Sequence, residues 1–265
     1  MPATVLITGA SSGIGAALAQ HYARDGARLG LVARRAGHLA SIEAECRRLG
    51  AADVRCAALD VRDRAALGDW IRRLDGEWPI DLAIANAGVL TGTPHDGSLE
   101  PVEDGYRLLE INVLGVANTV HPLLGPFAAR GRGQIALVSS LAGLGPMPDM
   151  PSYGASKAAV LSYGLALREA MRPHGVRVNV ICPGFVTTDM TEQVTGNKLF
   201  EMPMERAIPI IVRGLARNRP VVAFPFTTFA LARINGVLPE FLRRAFGGAF
   251  HYRVEPQRSP APLRK

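Results

Sequence analysis

Short apolar runs alternate with helix-patterned stretches along most of this chain, and that rhythm leaves few architectures open. Runs at residues 4–8 (TVLIT), 27–33 (ARLGLVA), 54–59, 82–85, 134–139 (QIALVS) and 176–181 read as strands. The stretches between them, through about residue 24 and over 38–49, 65–74, 102–129 and 152–171, carry helical patterning. Strands that are apolar throughout are buried on both faces, as in a parallel sheet covered by helices. Right-handed crossovers then give an α/β fold, a doubly wound parallel sheet of the Rossmann type, with ligands beyond the carboxyl ends of its strands. No repeat, low-complexity tract or linker breaks the pattern, so residues 1–265 read as a single domain.

Beyond residue 183 the rhythm changes. Residues 187–205 are polar and broken, and read as a mobile segment on the substrate side. A helix over 205–218, an edge strand over 220–224 and an apolar helix over 227–246 follow, within a basic and apolar C-terminal extension, 225–265. Residues 1–205 hold 19 Lys/Arg against 21 Asp/Glu, whereas residues 206–265 hold 11 Lys/Arg against Glu240 and Glu255 alone. Such a charge could meet an acidic carrier or anionic lipid, or simply keep a face solvated. Nucleic acid is a poor fit, because the arginines alternate with core-like residues outside any reading motif. The run between Arg219 and Glu240 is too short, and too interrupted by Pro225, Arg233, Asn235 and Pro239, to cross a bilayer. Its helix could lie at a membrane surface, cover a pocket or pack on a second subunit.

The three cysteines, Cys46, Cys56 and Cys182, are odd in number and lack a C-x-x-C spacing, which points to a reducing compartment and away from a disulfide framework or a metal site. The N-terminus has no basic region before its first apolar run, so no secretory signal is expected and a cytoplasmic location is, with surface membrane association left open.

Two motifs carry chemistry. In Thr8-Gly9-Ala10-Ser11-Ser12-Gly13-Ile14-Gly15 the glycines stand at the first strand-to-helix turn, where a pyrophosphate can approach the backbone and rest on a helix N-terminus. In Tyr153-Gly154-Ala155-Ser156-Lys157 a phenol and an ammonium stand four residues apart, on one face of a helix.

From the glycine loop onward the chain resembles the short-chain dehydrogenase/reductase family, of the classical type, over about residues 3–190. Further motifs match in order. Asp60, with Val61 beside it, resembles the adenine-contacting aspartate, and Asn86-Ala87-Gly88 matches the motif after the fourth strand. Asn112 lies where the family places its catalytic asparagine, and Ser140, thirteen residues before Tyr153, matches the catalytic serine. Pro183-Gly184, with Val186 and Thr188 after it, matches the turn that holds the nicotinamide carboxamide. The resemblance implies a nicotinamide cofactor and hydride transfer to or from a carbonyl carbon. It also implies a homodimer or homotetramer built through the helices of Asn112 and Tyr153.

A free tyrosine, with a pKa near 10, is a poor acid–base catalyst at neutral pH. Lys157 and the charge of an oxidised nicotinamide are expected to lower that pKa, so that Tyr153 exchanges a proton with the substrate oxygen. Ser140 is expected to hold the same oxygen. By the resemblance, Lys157 also binds the ribose and Asn112 holds a water relaying protons from Lys157. Where an NAD enzyme would place an acid at the end of the second strand, this chain has Ala33 followed by Arg34 and Arg35. Arginine suits a 2′-phosphate, so NADP(H) is favoured over NAD(H), with Arg34 the better candidate and Ser12 adding a hydroxyl. Leu141, Met147 and Met150, with Phe185 and Met190 opposite, suggest an apolar, adaptable pocket for a lipophilic ketone, aldehyde or secondary alcohol. A 3-ketoacyl-thioester reductase and a non-enzymatic, cofactor-binding or membrane-associated protein are the alternatives.

Overall fold

The computed structural model describes residues 3–241, apart from His95, Asn197 and Leu199, together with residues 252–254. Seven strands form one parallel sheet: β1 (Thr4–Thr8), β2 (Arg28–Ala33), β3 (Asp53–Ala58), β4 (Leu82–Ala85), β5 (Gln134–Val138), β6 (Arg177–Pro183) and β8 (Val221–Phe224), in the order β3-β2-β1-β4-β5-β6-β8. Successive side chains of a strand point to opposite faces. Accordingly Leu6 joins one core, and Val5 and Ile7 the other.

The first core is closed by α3 (Arg64–Glu77), α4 (Val102–Leu109), α5 (Gly115–Arg130) and α6 (Pro151–Met171), through residues such as Leu67, Leu108, Phe127 and Val160. The second is closed by α1 (Gly13–Arg24), α2 (Ala36–Leu49) and α8 (Met204–Ala216), through Leu18, Leu39 and Ile211. The strand order turns back between β1 and β4, so a crevice opens beyond the carboxyl ends of these two strands.

Two departures from the sequence reading have physical causes. The stretch over 102–129 is not one regular helix, because a π turn at Glu110–Leu114 separates α4 from α5 and carries Asn112. The apolar helix expected over 227–246 is α9 (Phe226–Val237), which stops where Leu238 turns extended before Pro239. Residues 242–246 of that expectation, with Arg243 and Arg244, lie outside the described residues.

Residues 187–205 contain a short helix, α7 (Asp189–Glu192), and a strand, β7 (Val194–Gly196). This strand pairs antiparallel with β9 (Tyr252–Val254), Val194 opposite Val254 and Gly196 opposite Tyr252. The inner side of α9 packs on the 3-10 turn Leu141–Leu144, with Gly236 so close to the Leu144 carbonyl that no Cβ would fit. Its Phe226, Leu231, Ile234 and Val237 are exposed. Among the described residues no helix is long and apolar enough to cross a membrane.

Candidate active site

The glycine loop folds as its residues require. Gly9 and Gly13 take φ of 68° and 55°, which favour glycine. A Cβ on Gly15 would lie 2.4 Å from the Gly9 carbonyl oxygen, so only glycine lets the first turn of α1 close on the loop. Asn86 fastens this loop to the end of β4, its Nδ2 donating to the carbonyls of Thr8 (3.0 Å) and Gly9 (3.1 Å). Ala87 packs directly on Gly9. Ile14 packs on the second core, beneath the loop. The N-cap residue of α1, Ser12, makes no side-chain cap bond, and the first turn holds no acidic residue. An anionic group is therefore well suited to this end of α1.

Beside the loop, Arg35 Nη2 donates to Ser12 Oγ at 2.8 Å and to Ser11 Oγ at 3.4 Å. Arg34 Nη1 lies 3.9 Å from Asp60 Oδ2. Although burial pulls the Asp60 carboxyl upward, its hydrogen bonds from Arg62 hold it below the usual carboxylate range. The two arginines thus flank one polar corner, and Arg35, ranked second from sequence, reaches the loop serines. Val61 is buried against Gly115, and its carbonyl accepts a bond from Asn118.

The helix α6 brings the phenol and ammonium together as its spacing implies. Lys157 Nζ lies 5.6 Å from the centre of the Tyr153 ring and donates to the Val138 carbonyl at 3.0 Å. A Cβ on Gly88 would stand 3.2 Å from Asn112 Oδ1 and 3.5 Å from Lys157 Nζ, so this glycine keeps the space between them open. Asn112 is fully buried and its amide is committed: Oδ1 accepts from Val89 N, while Nδ2 donates to the Val89 carbonyl and to Ser156 Oγ. Its side chain thereby locks the turn after β4 to α6.

Ser140 caps the turn Leu141–Leu144, its hydroxyl accepting from Ala142 N and donating to the Pro183 carbonyl. Ser139 points the other way and donates to the Lys157 carbonyl at 2.6 Å, as strand alternation requires. Gly184 N donates to the Phe224 carbonyl, Val186 bridges to Met202, and Thr188 caps α7 with its methyl group facing Gly13.

The electrostatics depart from expectation in one respect. Burial raises the Tyr153 pKa, and the influence pulling it down is a side-chain hydrogen bond with Ser140, not the lysine. Burial also lowers Lys157 to about 8, so its ammonium is itself costly here. The protein alone therefore does not produce the expected acidic phenol.

Of the expected pocket residues, Met147, Phe185 and Met190 gather with Tyr153 around a small apolar cluster that includes buried Met150. Leu141 is buried in the first core, against which Tyr153 and Leu144 also pack. Sequence reasoning missed Leu90, Val194, Tyr252 and Val254, which complete that cluster. The one available signal was the short aromatic and β-branched alternation Tyr252-Arg253-Val254, too brief to stand out. Among the described residues no group of three His, Cys, Asp or Glu could hold a metal ion.

The family model for short chain dehydrogenases matches residues 3–198. An oxidoreductase of Myxococcus xanthus (strain DK1622) is 37% identical over 237 residues, which cover 89% of this chain and 92% of the relative. A short-chain dehydrogenase from Sphingobium yanoikuyae, solved in complex with NADPH, superposes with a TM-score of 0.77 at 27% identity, covering 98% of both chains. The bulky-bulky ketone specific alcohol dehydrogenase from Comamonas testosteroni gives 0.76 at 26% identity, covering 99% of this chain and 98% of its own. A short chain dehydrogenase from Mycobacterium paratuberculosis bound to NAD gives 0.72 at 25% identity, covering 83% and 94%.

Proposed function

Since the chain belongs to the short-chain dehydrogenase family and is an oxidoreductase of that type, we propose that it reduces a lipophilic ketone or aldehyde with NADPH, or oxidises the matching secondary alcohol. The observation that carries this reading is the Tyr153 phenol hydrogen-bonded to Ser140 with Lys157 Nζ 5.6 Å from its ring, on a sheet whose first strand-to-helix turn suits an anion.

The residues present fit a nicotinamide dinucleotide: a glycine cradle that a Cβ would fill, a helix N-terminus without a side-chain cap, and a lysine beside an open glycine. When bound, that cofactor supplies the hydride and, in its oxidised form, a positive charge. Gly9, Ser11, Gly13 and Gly15 would hold the pyrophosphate against the first turn of α1. Asp60, Val61, Asn86 and Ala87 would line the adenosine side, and Pro183, Gly184, Val186 and Thr188 the nicotinamide side.

Tyr153, kept protonated by burial, is in the form a reductase needs, and donates its phenolic proton to the substrate oxygen. Ser140 releases its long bond to the Pro183 carbonyl, 3.3 Å, and donates to the same oxygen as charge develops there. Lys157 would bind ribose hydroxyls with its ammonium, and the Ser140 hydroxyl eases the ionisation of Tyr153. Asn112 acts as a positioning residue through Val89 and Ser156, on the side where a proton-relaying water would sit.

The preference for NADPH rests on Arg34, Arg35 and Ser12 at a corner where Ala33 leaves no acid to bind a 2′-hydroxyl. Fluorescence titration tests it. NADPH is expected to bind more tightly than NADH, and Arg34→Ala together with Arg35→Ala to cost about 10–100-fold for NADPH alone, the size of charge-assisted hydrogen bonds. Equal binding of NADH by the wild type would contradict it. The substrate class rests on the apolar side chains Met147, Phe185 and Met190 next to Tyr153. The chain is further proposed to work as a homodimer or homotetramer through the helices of Asn112 and Tyr153, and the exposure of Val102, Tyr106 and Leu114 along α4 and the π turn supports this.

A further inference from the structure

The described part of the C-terminal tail is three residues long, yet it is tied in at each of them. Tyr252 N donates to Asp149 Oδ2 at 2.9 Å, and Arg253 pairs with Asp149 Oδ1 at 3.1 Å. Val254 N donates to the Thr93 carbonyl at 3.0 Å, while Thr93 N donates to the Asp149 carbonyl at 2.7 Å. Gly92 lies between these partners, and a Cβ there would stand 2.6 Å from the Asp149 carbonyl oxygen and 2.9 Å from Val254 Cγ2. The loop after β4, the loop before α6 and β9 therefore meet at a junction that admits only glycine.

On its inner side β9 delivers Tyr252 to the apolar cluster next to Tyr153. The Tyr252 ring is 5.3 Å from the Phe185 ring, in a tilted pair, and only 8% of the residue is exposed. Met147, Met190 and Tyr153 pack on the same cluster, so the catalytic phenol and the tail share one apolar neighbourhood. A tilted aromatic pair resists rearrangement more than a methionine does.

We infer that β9 forms the outer wall of the substrate pocket and that Tyr252, backed by Phe185, sets how large an apolar substituent beside the carbonyl is admitted. Asp149 is the positioning residue that latches the wall through the backbone of Tyr252 and the side chain of Arg253. This inference rests on the reductase reading for its substrate, but the wall itself stands on the contacts around Tyr252. Removing the ring opens space continuous with Phe185, Met147 and Met190, and that space is apolar, so it suits added methylenes and not a charged group.

The test compares wild type, Tyr252→Ala, Tyr252→Phe and Asp149→Ala with NADPH on 2-butanone and on an aryl ketone, propiophenone. Tyr252→Ala is expected to raise the ratio of kcat/KM values, aryl over small, by roughly tenfold, as pocket methylenes do, with the affinity for NADPH unchanged. Tyr252→Phe is expected to keep the wild-type ratio, and Asp149→Ala to move it in the same direction as Tyr252→Ala. Equal loss on both ketones, or an unchanged ratio, would show that the tail only props the fold and would overturn the inference. Should the wild type reduce neither ketone, the reductase reading fails by itself. The wall is then judged by saturation-transfer NMR in the presence of NADPH: a relative gain for propiophenone in Tyr252→Ala supports it, and no gain overturns it.

Discussion

Lys157 is an ammonium in a place where packing alone would favour an apolar side chain. Its pKa falls to about 8, from the ordinary 10.5, because burial penalises the charged form. The folded chain thus binds this proton less readily than the unfolded chain between those two values. The cost of the charge is therefore borne in full below about pH 8 and relieved as pH climbs toward 10.5. Lys157→Met is expected to abolish turnover yet to raise Tm at pH 7, by about 2–4 °C per kcal/mol relieved, with the gain shrinking above pH 8. Thermal denaturation at pH 7 and pH 10 checks this, and a lower Tm at pH 7 would contradict it. At this scale the sequence was most legible where chemistry and spacing are local. Tyr153 and Lys157 lie one helical turn apart, and Gly9, Gly13 and Gly15 fill a single loop. Tyr252 was illegible because its partners, Asp149 and Phe185, are distant along the chain.

The helix that carries both groups is seated by a glycine. A Cβ on Gly164 would lie 2.4 Å from Val180 Cγ2 and 2.6 Å from Leu137 Cδ1, so α6 rests almost directly on β5 and β6. Gly164→Val is expected to push α6 off the sheet, costing about 1–3 kcal/mol as overpacking does and lowering kcat more than it weakens cofactor binding. A wild-type Tm for this variant would show that α6 is not held so tightly. The strands of the sheet were legible to within a residue or two, because buried parallel strands are continuous apolar runs. Two kinds of element were not. The strands β7 and β9, three residues each, are too short to show a period and exist only through their mutual pairing. The single helix expected over 227–246 is interrupted at Leu238, because the residue before Pro239 is pushed out of the helical region, and Glu240 and Phe241 are helical again beyond it.

For the whole molecule, one parallel sheet gathers the glycine loop, the Ser140 turn and α6 at the carboxyl ends of its strands, and the C-terminal strand folds back to the same side. The outer faces of α4 and the π turn leave Val102, Tyr106 and Leu114 exposed at 69%, 66% and 57%, and a run of exposed apolar side chains is what an interaction surface presents. Sedimentation equilibrium is expected to give at least a dimer, and Tyr106→Arg to weaken it; a wild-type monomer would contradict the proposed assembly. The central claim is that this assembly transfers hydride with Tyr153 as its acid. Its most direct measurement is NADPH oxidation with an aryl ketone by wild type and Tyr153→Phe, alongside NADPH titrations of both. The account predicts that the variant binds NADPH as the wild type does and loses about 100-fold or more of its turnover, the scale of a positioned general acid. Turnover equal to wild type in Tyr153→Phe would contradict it.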